Sequence, residues 1–158
     1  MKIHNIQIDS LLDIKNLNLA IGNFDGLHLG HQIIIKRLIQ QSKEINVESA
    51  IMSFMPHPRQ FFSDKLINFN IIPESLKIKL LNELGIKHYI LLKFDYSIAS
   101  LSPEDFIEKI LVKKIKIKNL IVGYDFKFGK NREGNVNLLK QKSLIYNFGL
   151  EILKPVKS

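Results

Sequence analysis

Ala20-Ile21-Gly22-Asn23-Phe24-Asp25-Gly26-Leu27-His28-Leu29-Gly30-His31 joins an apolar run to a glycine-punctuated turn and leads into an amphipathic stretch from Gln32 to Ser42. That order reads as strand, loop and helix start. The first N–H groups of a helix have no intrahelical acceptor, and the helix dipole favours negative charge there. His28 and His31 lie three apart and face the same side of this helix start. Gly30 between them lets an anion approach the backbone closely. Zinc would need further ligands, and the chain offers no cysteine and no His-rich partner segment. A core position is the common fate of a lone histidine, but here two are paired at a helix start. Phosphate binding by His28 and His31 is the favoured reading. The spacing is neither a Walker A loop nor a dinucleotide-binding glycine fingerprint. Asp25-Gly26 reads as a turn pair. Asn23, at the strand end, is either a ligand contact or a loop cap.

Working outward, Asn18 to Phe24 is expected as a first buried strand, followed by a helix over Gly30 to Ile45. Ser49 to Phe54 is a second apolar run, and Met55 to Ile72 reads as a structured loop. Pro73 and Glu74 suit the first turn of a helix that Gly85 ends. His88 to Lys93 is a third run. Ser102-Pro103-Glu104-Asp105 is a helix start with Ser as cap, Pro at the first position and acids in the first turn. Asn119 to Gly123 is a fourth strand. Val136 to Phe148 is expected as a helix with Gly149 as its stop, and Leu150 to Leu153 starts a fifth strand. Strands alternating with helices imply right-handed crossovers and a parallel sheet with helices on both faces, an α/β fold. Ligands of such sheets bind at the carboxyl ends of the strands.

The remaining polar motifs all follow expected strands. Ser53-Phe54-Met55-Pro56-His57-Pro58-Arg59 holds two prolines that fix two φ angles. With Phe54, Phe61 and Phe62 beside it, this loop suits a flat aromatic ligand, or it is a surface loop over core phenylalanines. Arg37, Arg59 and Arg132 are the arginines among 23 Lys and Arg residues. Arginine at two motif positions, in a chain that otherwise uses lysine, points to bidentate phosphate contacts. Val122 to Gly134 carries two glycines after the strand, alternating aromatics and Arg132, as a loop that wraps a ligand. Asp125 there accepts from a ribose hydroxyl or an adenine amino group, or caps a turn.

Composition narrows the classes. With 158 residues, 46% hydrophobic and 24% charged, the chain is expected to be one globular domain. No apolar run reaches membrane-spanning length, and Met1 to Gln7 lacks the apolar core of a secretory signal. The absence of cysteine excludes disulfides, thiolate metal sites and cysteine nucleophiles, and it fits a cytoplasmic protein. The net charge of +8 comes from scattered lysines, so neither nucleic acid nor membrane is expected as a partner.

Taken together, these segments resemble the adenylyltransferase module of the bacterial bifunctional riboflavin kinase/FAD synthetase family. The family pattern runs G-x-F-D-G-x-H-x-G-H, S-F-x-P-H-P-R, L-S-P-x-x-F and V-G-x-D-F-x-F-G-x-x-R-x-G. This chain carries matching residues at Gly22–His31, Ser53–Arg59, Leu101–Phe106 and Gly123–Gly134. The resemblance implies a Rossmann-like nucleotidyltransferase fold and the reaction of FMN with ATP to FAD and pyrophosphate. It implies catalytic His28 and His31, and an ATP site of Gly22, Asn23, Phe24, Gly30, Asp125 and Arg132. It implies a flavin site of Phe54, Pro56, His57, Pro58, Arg59, Phe62, Phe106 and Phe128. Mg²⁺ is expected to arrive with ATP, with no metal site of the protein's own; FMN and ATP are the small-molecule partners, and no protein partner is implied. The family's later S-S-T-x-x-R element and its riboflavin kinase barrel are not found before Ser158. The expectation is therefore one adenylyltransferase-like domain over 1–158, cut short at its C-terminus. Two alternatives stay open: a flavin- or nucleotide-binding fragment with impaired turnover, and a nucleotidyltransferase acting on another phosphorylated acceptor such as phosphopantetheine.

Overall fold

The computed structural model describes residues 1–22, 24, 29–63 and 73–154, with the side chains of residues 29, 30 and 59 outside that description. Six strands form one sheet: β1 (Lys2–Ile6), β2 (Leu17–Ile21), β3 (Ser49–Met55), β4 (His88–Lys93), β5 (Ile117–Gly123) and β6 (Gly149–Leu153). Their order is β1-β4-β3-β2-β5-β6, and every neighbouring pair is parallel. From β2 the chain steps outward through β3 to β4, then returns to the other side of β2 for β5 and β6. The direction of winding thus reverses between β2 and β5. There the crossovers leave the carboxyl ends of the two strands in opposite directions and open a crevice.

The helices are α1 (Leu29–Ile45), α2 (Pro58–Phe61), α3 (Glu74–Leu84), α4 (Tyr96–Ala99), α5 (Pro103–Asp105) and α6 (Val136–Tyr146). α5 runs directly into a π-helical stretch, Phe106–Ile115. One face of the sheet packs Leu19, Met52, Ile90 and Leu120 against Ile107, Ile110 and Leu111 of that stretch and Leu139 of α6. The other packs Ala20, Ile51, Tyr89 and Ile121 against Ile35 and Leu38 of α1 and Leu81 of α3. All five β2 residues are buried, which explains why the strand is apolar except at Asn18. Ser102 Oγ accepts from the Asp105 N–H at 3.1 Å, a cap of the kind that contributes about 1 kcal/mol. Gly85 closes α3 in the left-handed region at φ +99°.

Four local expectations change. β1 is an edge strand whose Lys2-Ile3-His4-Asn5-Ile6 has no apolar run, because only one neighbour covers it. β2 ends at Ile21, and Phe24 has left the sheet with φ +54°. The loop after β3 contains α2, while residues 64–72 lie outside the described residues. α6 stops at Asn147 in the left-handed region at φ 59°, not at Gly149, which instead begins β6. Asparagine tolerates that conformation, and glycine at 149 is needed because a Cβ would overlap Asn119 Oδ1.

Candidate active site

Gly22 leaves β2 at the crevice and is tied to β3 from both sides. Its N–H donates to the Met52 carbonyl at 3.1 Å, and its carbonyl accepts from Ser53 Oγ at 2.9 Å. Ser53, the first residue of the proline loop motif, is buried and joins that motif to the glycine motif. Phe24 turns back over Gly22: a Cβ on Gly22 would lie 3.2 Å from the Phe24 ring. The Phe24 ring is 1% exposed and tilts against His31 with centroids 5.0 Å apart. It presents a supporting floor for His31, whose half-buried ring stands in the first turn of α1. That first turn contains no acidic residue, and Lys43 occupies the last turn, so α1 keeps its N-terminal end favourable to an anion. Gly30 lies in the same turn. Asn23 and His28 lie outside the described residues, as does the side chain of Arg59.

Across the crevice, Gly123 ends β5 and Tyr124-Asp125 turns away from the sheet. The Tyr124 N–H donates to the Leu153 carbonyl, and the Phe126 N–H to the Gly123 carbonyl. Asp125 is exposed, with Oδ1 close over Gly123, where a Cβ would be 3.3 Å from it. The next stretch folds back on itself through paired bonds between Phe128 and Gly134, 3.3 and 2.8 Å. Arg132 is exposed in the Lys130–Arg132 turn. Leu101–Phe106 and Gly123–Gly134, two separate motifs in the sequence, dock on each other. The Lys130 N–H donates to the Leu101 carbonyl at 2.8 Å. Gly129, at φ +78°, comes so near Pro103 that a Cβ would be 2.8 Å from its Cα. A Cβ on Gly134 would meet the Phe128 ring at 2.7 Å.

The phenylalanines assigned to the flavin form a connected run of rings. Phe128 packs on Phe106 at 5.7 Å and Phe106 on Phe54 at 6.2 Å, with Phe106 and Phe128 buried and Phe54 half-buried. Phe54 continues to Phe94 at 5.6 Å, and Phe94 to Phe61 at 5.2 Å and Phe62 at 5.9 Å. Phe62 is 69% exposed at the outer end. The run thus crosses the carboxyl ends of the strands, its inner half in the core and its outer half at the surface. Pro56 is exposed, with His57 and Pro58 half-buried beside it. Phe94 and Tyr96, which the sequence motifs do not include, join the run directly after β4 in a Lys-Phe-Asp-Tyr segment, with Tyr96 against Phe61 at 5.0 Å. Among the described residues, no group of three His, Asp or Glu side chains converges to hold a metal ion. Nor is any described helix long and apolar enough to cross a membrane.

The parallel sheet, its reversed winding and the loops gathered over its carboxyl ends make this an α/β, Rossmann-like nucleotidyltransferase fold. The chain belongs to the FAD synthetase family, whose family model matches residues 12–158. It is 40% identical over 147 residues to the bifunctional riboflavin kinase/FMN adenylyltransferase of Buchnera aphidicola subsp. Schizaphis graminum, covering 92% of this chain and 46% of that one. The protein of the same name from Escherichia coli K12 is 34% identical over 148 residues, covering 94% of this chain and 46% of that one. This chain therefore spans about half the length of the curated relatives it matches. Among solved structures, a macrolide-efflux protein from Streptococcus pneumoniae matches with a TM-score of 0.86 at 21% identity, covering 100% of this chain and 53% of that one. At that identity the likeness concerns the fold alone.

Proposed function

We propose that this chain is an FMN adenylyltransferase, transferring AMP from ATP to FMN to give FAD and pyrophosphate. The observation that carries the reading is the meeting of the glycine motif, the proline motif and the docked loop pair at the carboxyl ends of β2, β3 and β5. An oxygen of the FMN phosphate attacks the α-phosphorus of ATP in line. The new P–O bond forms as the bond between the α-phosphorus and the bridging oxygen breaks, and pyrophosphate leaves. The nucleophile is already anionic, so positioning and charge stabilisation carry the catalysis.

In this reading His28, His31 and the N–H groups opening α1 stabilise charge on the triphosphate. Gly22, Asn23 and Gly30 let the nucleotide approach the backbone, Phe24 holds His31, and Asp125 and Arg132 contact the nucleotide from the β5 side. Phe54, Phe62, Phe106 and Phe128, with Pro56, His57, Pro58 and Arg59, form the flavin side. Magnesium would arrive bound to ATP and would neutralise part of the charge on its phosphates. The chain acts in the cytoplasm and has FMN and ATP as partners. The test is incubation of the purified chain with FMN, ATP and magnesium, followed by chromatographic separation of the flavins. Time-dependent FAD is the expected result; binding of FMN or ATP without FAD would instead make the chain a binding fragment.

A further inference from the structure

The inward face of α1 changes character along its length. Ile35 and Leu38 are fully buried apolar contacts, but the next residues toward the sheet are Gln41 and the buried Ser42. They meet two buried asparagines, Asn18 of β2 and Asn119 of β5. Asn119 Nδ2 donates to Asn18 Oδ1 at 2.8 Å and to Gln41 Oε1 at 2.9 Å. Asn18 Nδ2 donates to Ser42 Oγ at 3.0 Å and to Gln41 Oε1 at 3.3 Å. Ser42 Oγ in turn donates to the Leu38 carbonyl at 2.6 Å. Beside this cluster, Arg37 Nε reaches both carboxylate oxygens of Glu151 on β6 at 2.9 Å.

A break in strand register creates the cluster. Leu17 pairs with Ile117, but the next residue of β2, Asn18, pairs with Asn119. Lys118 is the extra residue of a bulge. In an unbroken strand, Ile117 and Asn119 would point to the same face. The bulge instead leaves Ile117 on the face of the Phe106–Ile115 helix and turns Asn119 to the α1 face, opposite Asn18.

These bonds join α1 to β2 and β5, the two strands that border the crevice. Apolar contact resists sliding weakly because it has no direction, whereas hydrogen bonds fix distance and angle. Resting on the adenylyltransferase reading, we infer that Asn18, Asn119, Gln41 and Ser42 are positioning residues for ATP. They set the axial register and rotation of α1, and so the place of its first turn at the crevice. None of them touches the nucleotide: Gln41 is ten residues beyond His31, about 15 Å along the helix.

The test uses the full chain with Gln41→Leu and Gln41→Glu. The first removes the acceptor shared by both asparagines; the second keeps an oxygen there. ATP and FMN affinities are read by calorimetry. The distance between α1 and the sheet is read with spin labels on Lys36→Cys and Lys93→Cys, which are specific because the chain has no native cysteine. Gln41→Leu is expected to weaken ATP binding about tenfold, change FMN binding less than about twofold, and broaden the label distance. Gln41→Glu is expected to restore all three. If Gln41→Leu does not fold, Asn18→Val/Asn119→Val/Gln41→Leu removes the stranded amides together and is read the same way. A folded apolar variant with wild-type ATP affinity and label distance overturns the inference, and so does failure of Gln41→Glu to restore them. A wild type that binds ATP but makes no FAD contradicts the adenylyl-transfer reading alone, because these readouts do not require turnover. A wild type without ATP affinity overturns the positioning role.

Discussion

Gly129 and His31 divide two kinds of residue-level demand. At Gly129, φ is +78° and a Cβ would stand 2.8 Å from the Pro103 backbone. Both the strained backbone and the overlap act against a side chain, so Gly129→Ala is expected to cost at least about 1–3 kcal/mol. A lowered thermal midpoint checks this; an unchanged midpoint would mean that the two loops do not need their close approach. His31 rests on Phe24 at 5.0 Å in the first turn of α1. Its removal is expected to slow FAD formation by about 3 kcal/mol of barrier, the typical loss of one preorganised donor. Turnover by His31→Ala, compared with its melting curve, separates this from a structural effect. Equal turnover would remove His31 from the mechanism. The glycine requirement at 129 was hidden in the sequence because its cause lies 26 residues away, in Pro103. The histidine signal was visible because both its partners, the helix start and Gly30, are local.

At the level of elements, the apolar runs revealed the buried strands, since β2 and β4 are covered on both faces. β1 escaped notice because an edge strand needs no apolar run. Its pairing instead brings His4 beside His88, Nε2 to Nδ1 at 3.0 Å, with Glu48 3.5 Å from the other nitrogen of His88. Burial, then the nearby His88 and Lys2, hold His4 below its ordinary pKa. The folded state therefore disfavours the His4 proton that the unfolded chain accepts. The stabilisation this gives is present above the ordinary histidine value of about 6.5 and is lost as pH falls through the lower folded value. Thermal midpoints should fall as pH is lowered from about 7.5 to about 5, and fall less in His4→Asn. An equal fall in both proteins would assign the acid sensitivity elsewhere. The bulge at Lys118 was also unreadable, because Ile117 to Gly123 has no local mark of a register change; it arises from the pairing of β5 with β2.

Across the whole molecule, strand alternation with helices indicated the parallel sheet, but not that its order reverses between β2 and β5. That reversal puts loops from distant parts of the chain over one crevice, and the side-chain and backbone bonds from Ser53 to Gly22 and from Lys130 to Leu101 lock them together. The most direct test of the account follows phosphorus. Purified chain is incubated with FMN, magnesium and ATP labelled either at the α- or at the γ-phosphorus. The predicted result is α-label in the flavin product and γ-label in pyrophosphate, with FAD and pyrophosphate formed one to one. Label in the flavin from the γ-position, or α-label that never enters it, would contradict adenylyl transfer at this site.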